Sequence, residues 1–345
     1  MKINLDVDVH HLTRVEGHGN IRVVVKDGEL KEARWDVVET PRYFEVMLKG
    51  KHYSTAGILT ARICGICSIG HCLASLRATE EALGVTIPDA AGKLRLLAKH
   101  GETLQSHWLH LFFLAAPDFV LGPDADPAVR NILGVVGKVG VEIGGKVIEV
   151  RKRCRDIIKL VAAKPPHPEG GLPGGVSRGI TEAERKTIKE TADFSVDFAK
   201  FALGLFKKVV LENKQYLDLV LNDAYMMKSY YMGMVDSHKK VCFQGGKIRV
   251  VDPQGKEFAF FDHHDYVNHI GEWVEPWTYI KLTHLKKIGW NGIHENPNTS
   301  LYRVGPLARL NVAEGMATPL AQKEYEAMFN DLLNQVDIKR RMLPA

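Results

Sequence analysis

Three of the chain's five cysteines fall within nine residues, in Ala61-Arg62-Ile63-Cys64-Gly65-Ile66-Cys67-Ser68-Ile69-Gly70-His71-Cys72. Cys64 and Cys67 form a Cys-x-x-Cys pair, and His71 follows four residues after the second sulfur. That spacing lets both sulfurs face one ion. Thiolates are soft ligands and favour nickel, zinc, copper(I) or iron over magnesium or calcium. From chemistry alone three readings stand. The first is a structural zinc site closed by His71 and Cys72, which needs a four-ligand tetrahedron. The second is a redox-active dithiol, although no thioredoxin-like βαβ pattern surrounds the pair. The third is a catalytic metal centre that takes two thiolates here and its other ligands from elsewhere.

The elements that must position these residues follow from local signals. Residues 3–40 read as strands, with β-branched Ile21 to Val25, a hairpin turn at Asp27-Gly28 and a return strand over Ala33 to Val38. Before them, Thr13-Arg14-Val15-Glu16-Gly17-His18-Gly19 is consistent with a turn. Pro41 opens a short helix that Gly50 ends. Ser54 is expected to cap a second helix running towards Cys64. Cys64 to Cys67 reads as a break, and the next helix runs to Leu83 with Gly84 as its stop. Cys67 is thereby placed near a helix N-terminus, where the dipole and free amides favour a thiolate. A long helix over 90–116 carries His100, His107 and His110 and is ended by Asp118 after Pro117. Residues 127–163 are helical, with Gly134, Gly137, Gly140 and Gly144 spaced for close packing. After a loop over 165–179, Thr181 caps a helix from 182 to about 222, with a break near Gly204. Strands return over 241–262, residues 263–300 read as mostly irregular, and a last amphipathic helix covers 318–336. The pattern predicts a mainly helical α+β chain read as a single domain over 1–345: 1–40 β-rich, 41–240 helical, 241–345 mixed.

The 345 residues suffice to bury a sizeable core, and 45% hydrophobic with 25% charged residues is ordinary for a globular protein. A net charge of +5 is mild, and Arg151-Lys152-Arg153-Cys154-Arg155 accounts for much of it as a solvated helix face. Basic and aromatic residues do not interleave, which argues against a nucleic-acid partner. The start lacks a signal-peptide core, and the most apolar stretch, 131–150, contains Lys138, Glu142, Lys146 and Glu149, so no membrane span is expected. Five cysteines, three of them crowded, fit metal-bound thiolates in a reducing cytoplasm better than a disulfide framework.

Arg62-x-Cys64-Gly65-Ile66-Cys67-x-x-x-His71 resembles the first cysteine motif of the nickel–iron hydrogenase large subunit. Arg42-Tyr43-Phe44-Glu45 resembles that family's upstream Arg-Gly-apolar-Glu element at the matching interval, with Tyr43 in place of the glycine. Ala61 stands where the family has a polar residue. Thr13 to His18 and Leu301 to Leu310 resemble two further family segments, so the likeness runs over nearly the whole chain. It is greatest towards the soluble, methyl-viologen-reducing type that works beside heterodisulfide reductase.

The resemblance implies the family fold and a set of roles. Cys64 would be a terminal nickel ligand, and Cys67 would bridge nickel to an iron carrying cyanide and carbon monoxide. His71 would hydrogen-bond the bridging sulfur. Glu45 would help hold magnesium through its waters. Glu16 would begin the proton path, and Asp118 matches an acidic residue near the open site. The reaction implied is reversible heterolytic cleavage of dihydrogen. Its electrons would leave to iron–sulfur clusters on a partner small subunit, since no cluster-binding cysteine set remains here, and beyond it to an electron-transfer subunit. Relatives also carry a second Cys-x-x-Cys near the C-terminus. Here only Cys154 and Cys242 follow Cys72. The expectations are therefore a truncated form of the large subunit, or else a site completed by a second polypeptide, or a non-catalytic assembly remnant. A zinc-stabilised binding module is the alternative from another class.

Overall fold

The computed structural model describes residues 3–10, 12–222 and 227–333, which fall into two units. The first comprises the chain up to Asn213 together with 276–280; the second comprises the remainder.

In the first unit, β1 (Leu5–Val9), β2 (Gly19–Lys26) and β3 (Glu29–Val37) form an antiparallel sheet in sequence order. Asp27 and Gly28 turn the hairpin with φ of 55° and 82°, the two left-handed residues that a tight hairpin requires. Residues 276–280 join this unit, with Tyr279 N–H donating to the Val37 carbonyl at 3.2 Å. The helix α1 (Pro41–Leu48) starts on its proline as expected. The next one does not start on Ser54: a 3-10 turn over Tyr53–Thr55 is capped by the His52 side chain, which accepts from Ser54 N–H. It leads into α2 (Ala56–Thr60) and a second 3-10 turn over Ala61–Ile63. After the break, α3 (Ser68–Leu83) ends on Gly84 at φ 64°.

The helix expected over 90–116 is α4 (Asp89–Leu109) followed by two π-helical turns, His110–Ala115 and Pro117–Leu121. Asp118 therefore lies inside a wide turn and does not end the helix. Gly140, at φ 93°, splits the next stretch into α5 (Ile132–Val139) and α6 (Val141–Ala162). Gly101 lets α4 and α6 close: a Cβ there would meet the Cys154 carbonyl at 3.2 Å. The strands β4 (Gly171–Leu172) and β5 (Gly175–Val176) make a two-residue hairpin in the loop before α7 (Glu182–Phe206). Thr181 and Glu184 form a capping box at the start of α7. Its end is a π-helical turn over Lys207–Leu211, so the break falls at 212–213 and not near Gly204. Trp108, Phe112 and Phe198 join α4, the first π-turn and α7, with Trp108 and Phe198 edge to face at 5.0 Å.

A buried ion pair crosses this unit. Arg95 on α4 donates to both oxygens of Glu80 on α3, at 2.9 and 2.6 Å, and to the carbonyls of Leu172 and Gly175. Gly174 N–H donates to Glu80 at 2.8 Å. One ion pair thus ties two helices to the β4–β5 hairpin.

Burial pushes the thiols of Cys72 and Cys154 up to about 11. Such a thiol stays protonated in the fold but ionises near pH 9 once the chain unfolds. Its stabilisation is complete below pH 9 and is lost as the pH climbs towards 11. Denaturant unfolding of the metal-free chain should show about 1 kcal/mol less stability per thiol at pH 10 than at pH 8. Cys154→Ala should flatten that slope; an unchanged slope would remove Cys154 from the account.

The second unit begins with α8 (Lys214–Val220). Its main sheet runs β11-β6-β7-β8, from β6 (Tyr230–Val235), β7 (Lys247–Val251), β8 (Glu257–Phe261) and β11 (Tyr302–Arg303), the β11–β6 pair being parallel. The region expected to be irregular contains α9 (Tyr266–His269) and an antiparallel pair, β9 (Ile270–Val274) with β10 (Lys281–Leu285). The helix α10 (Pro306–Val312) packs on β6, where a Cβ at Gly233 would meet Val312 at 2.8 Å. α11 covers Pro319–Leu333, and the last three residues of the helix expected there lie outside the described residues. Helices and small sheets together give the α+β architecture expected. Among the described residues no helix is long and apolar enough to cross a membrane.

Candidate metal centre

The cysteine pair sits where the chain passes from a 3-10 turn into α3. Cys64 is extended, at φ −143° and ψ 133°, and Cys67 occupies the cap position of α3. The turn between them points two amides back at the first sulfur. Ile66 N–H reaches Cys64 Sγ at 3.3 Å and Cys67 N–H reaches it at 3.1 Å. His71 lies one turn into the helix, its own N–H on the Cys67 carbonyl at 3.3 Å. One donor atom each from Cys64, Cys67 and His71 lies within 4.8 Å of the others.

Glu16 joins them from the loop before β2. The Cys64 thiol donates to Glu16 Oε1 at 3.1 Å, from a sulfur whose residue is 8% exposed. The loop turns sharply, with left-handed residues at Arg14 and Gly17. Arg14 Nη1 anchors it, donating to the Leu114 carbonyl at 3.0 Å and pairing with Asp118 at 2.9 Å. Asp118 thus connects to the loop that carries Glu16, and Arg130 Nε lies 3.7 Å from its other oxygen. Glu45 lies on the exposed side of α1, outside the Cys64–Cys67–His71 group. Cys72 is also outside it: its side chain is buried with Ala61 and Leu76, so His71 and Cys72 do not close a tetrahedron with the pair.

Two supporting residues carried no signal in the sequence. Glu102, 2% exposed on α4, accepts the Ile69 amide at 2.6 Å and the Lys99 ammonium at 2.6 Å. A carboxylate at the first turn of α3 complements the helix dipole. His167 bonds the Ala61 carbonyl through Nδ1 at 2.9 Å, and its amide donates to Ser68 Oγ at 3.2 Å, bracing the break from outside. Only tertiary packing brings these groups to the pair. A cleft opens beside Gly65 and Ile66 and is lined by Glu102, Arg151 and Arg155.

Burial favours the neutral forms of both Cys64 and His71. Burial foremost, with hydrogen bonds to Cys67 and Glu16, pushes the Cys64 thiol up to about 12, against the opposing pull of the two amides. A bound metal reverses this, because a coordinating thiol loses its proton outright. Burial lowers the His71 pKa, with Glu102 acting the other way, which favours the neutral ring that can accept or donate a hydrogen bond. Two sulfurs beside an imidazole form a soft to borderline donor set, fitting nickel and iron.

Comparison with known proteins gives the same direction. The family described as nickel-dependent hydrogenase matches residues 42–128, and a HoxL-like family matches residues 6–40. An F420-non-reducing hydrogenase iron-sulfur subunit of Archaeoglobus profundus is 38% identical over 94% of this chain and 67% of its own length. A vhu subunit of the F420-non-reducing hydrogenase of Methanocaldococcus jannaschii is 39% identical over 95% of this chain and 76% of its own. The solved structure of an NAD+-reducing [NiFe]-hydrogenase in the H2-reduced state superposes with a TM-score of 0.85 at 29% identity, covering 100% of this chain and 80% of that one. The chain therefore belongs to the nickel-dependent hydrogenases, oxidoreductases acting on dihydrogen, and corresponds to their large subunit.

Proposed function

We propose that Cys64 and Cys67 would supply two of the thiolates that hold a nickel–iron centre, Cys64 to nickel and Cys67 to both metals, whose iron would carry cyanide and carbon monoxide. Metals held there supply the Lewis acidity that polarises dihydrogen and the redox capacity to take up its electrons. The chain's own residues handle the proton. The Cys64 sulfur accepts it and passes it 3.1 Å to Glu16, whose side chain reaches solvent. His71 holds the sulfur pair in place from α3, and Glu102 fixes the turn on which His71 stands. Asp118 positions the Glu16 loop through Arg14. Glu45 contributes to a magnesium site through water. The further sulfur ligands come from outside these 345 residues, which hold no second Cys-x-x-Cys. Electrons leave to an iron–sulfur small subunit, then pass by way of an electron-transfer subunit to heterodisulfide reductase, in the cytoplasm. The assignment of the pair to a cluster-linked centre draws support from relatives that are themselves subunits of F420-non-reducing hydrogenases, one of them described as an iron-sulfur subunit.

The observation that carries this reading is the contact between Cys64 Sγ and Glu16. Glu16→Gln keeps a hydrogen-bond partner for the sulfur but removes the proton acceptor. In the assembled complex it should retain nickel while dihydrogen–deuterium exchange into water falls by ~100-fold or more. Undiminished exchange would move the proton path to another residue.

A further inference from the structure

We propose that Asp262, His263 and His264 form a second metal site, for a divalent first-row transition ion such as zinc or cobalt. It lies in the second unit, where β8 ends, and is independent of the cysteine pair. Asp262 caps the short turn His263–Asp265, with Oδ1 accepting the His264 amide at 3.2 Å, so its carboxylate is held in place before any ion arrives. The same oxygen lies 3.1 Å from His263 Nδ1 and 3.7 Å from His264 Nε2. One donor atom from each residue falls within 4.8 Å of the others. The imidazole centroids stand 3.9 Å apart at 40°, so the rings converge. An ion about 2.1 Å from each donor needs neighbouring donors roughly 3.0 to 3.4 Å apart. One carboxylate–imidazole separation, 3.1 Å, falls within that span and the other, 3.7 Å, lies just beyond it, so binding needs shifts of only a few tenths of an ångström.

The chemistry selects the ion. Two imidazoles and one carboxylate suit zinc, cobalt, nickel or copper, and offer too few oxygens for calcium or magnesium. The three residues are 29 to 47% exposed, which lets water complete the coordination. The far end of the turn is held separately: His269 stacks on Phe261 at 3.9 Å and pairs with Asp265 at 3.2 Å. An ion would therefore clamp the passage from β8 into α9.

The test uses the untagged full chain, stripped of metal, carrying Cys64→Ser and Cys67→Ser to remove the paired sulfurs and Cys242→Ser to remove the one further cysteine that is not buried. Titration with cobalt(II), followed by visible absorption and calorimetry, should show a single saturable equivalent, with no heat from calcium or magnesium. Adding His264→Ala should weaken it at least tenfold, since loss even of a ligand's supporting partner costs ~10–100-fold. Adding His263→Ala as well should abolish it. If the serine variant fails to fold, the wild-type chain is compared with its His264→Ala form, and the lost equivalent must lack the sulfur-to-cobalt charge-transfer band. No saturable binding, or binding unchanged by His264→Ala, overturns the site.

Discussion

Cys64→Ser, produced together with its partner subunits, should yield a complex that has lost nickel and whose dihydrogen-dependent dye reduction has fallen by at least ~100-fold. A serine hydroxyl keeps its proton at neutral pH and is a hard oxygen donor. The amides of Ile66 and Cys67, now aimed at a soft sulfur, would face a harder oxygen instead. Cys67→Ser should behave alike. Cys72→Ser is the control, because its sulfur is buried with Ala61 and Leu76 and takes no part in the group. Metal analysis decides the matter. Nickel retained in Cys64→Ser, or zinc in place of nickel and lost equally from Cys72→Ser, would end the assignment.

The largest effect on stability should come from Arg95→Ala. Arg95 and Glu80 are 6% and 5% exposed, and their bidentate pair is completed by three backbone groups of the β4–β5 hairpin. Removing the guanidinium leaves a buried carboxylate with only the Gly174 amide among these contacts. Breaking such a pair costs about 3–5 kcal/mol. For a chain of this size that lowers Tm by roughly 4–7 °C. The double variant Glu80→Leu with Arg95→Met should recover much of the loss, because no unpaired charge remains. Differential scanning calorimetry of the three proteins separates the outcomes; a double variant as unstable as the sum of its parts would show that the hairpin contacts, and not the charge, carry the effect.

What could be read from the sequence is what short-range chemistry dictates. Asp27-Gly28, Pro41, Gly84 and Thr181 each act through their own neighbours, and each stands where expected. The same holds for the pair at 64 and 67, since a Cys-x-x-Cys turn needs no distant partner to converge. Other features escaped because their causes are remote. Tyr230–Val235 is buried along most of its length, so it shows no alternation of polar and apolar residues to mark a strand. His52 displaced Ser54 as a cap through a side chain that helix-start rules do not consider. Glu102 and His167 look like an ordinary helix-face acid and a loop histidine until α4 and the loop after α6 are folded against the break. The wide turns at 110–121 follow a continuous apolar run whose pattern matches an ordinary helix.

Those wide turns have a consequence for Glu16. Arg14 grips the carbonyl of Leu114, one hundred positions further along the chain. A π-type turn amounts to an extra residue inserted into a regular helix. Deleting a single residue between 110 and 113 would restore the usual winding of the first turn and rotate that carbonyl by roughly 100° about the axis. The loop would lose its mooring and the carboxylate would swing off the sulfur, with every metal-facing side chain untouched. The insertion thus sets the aim of the proton relay from a distance.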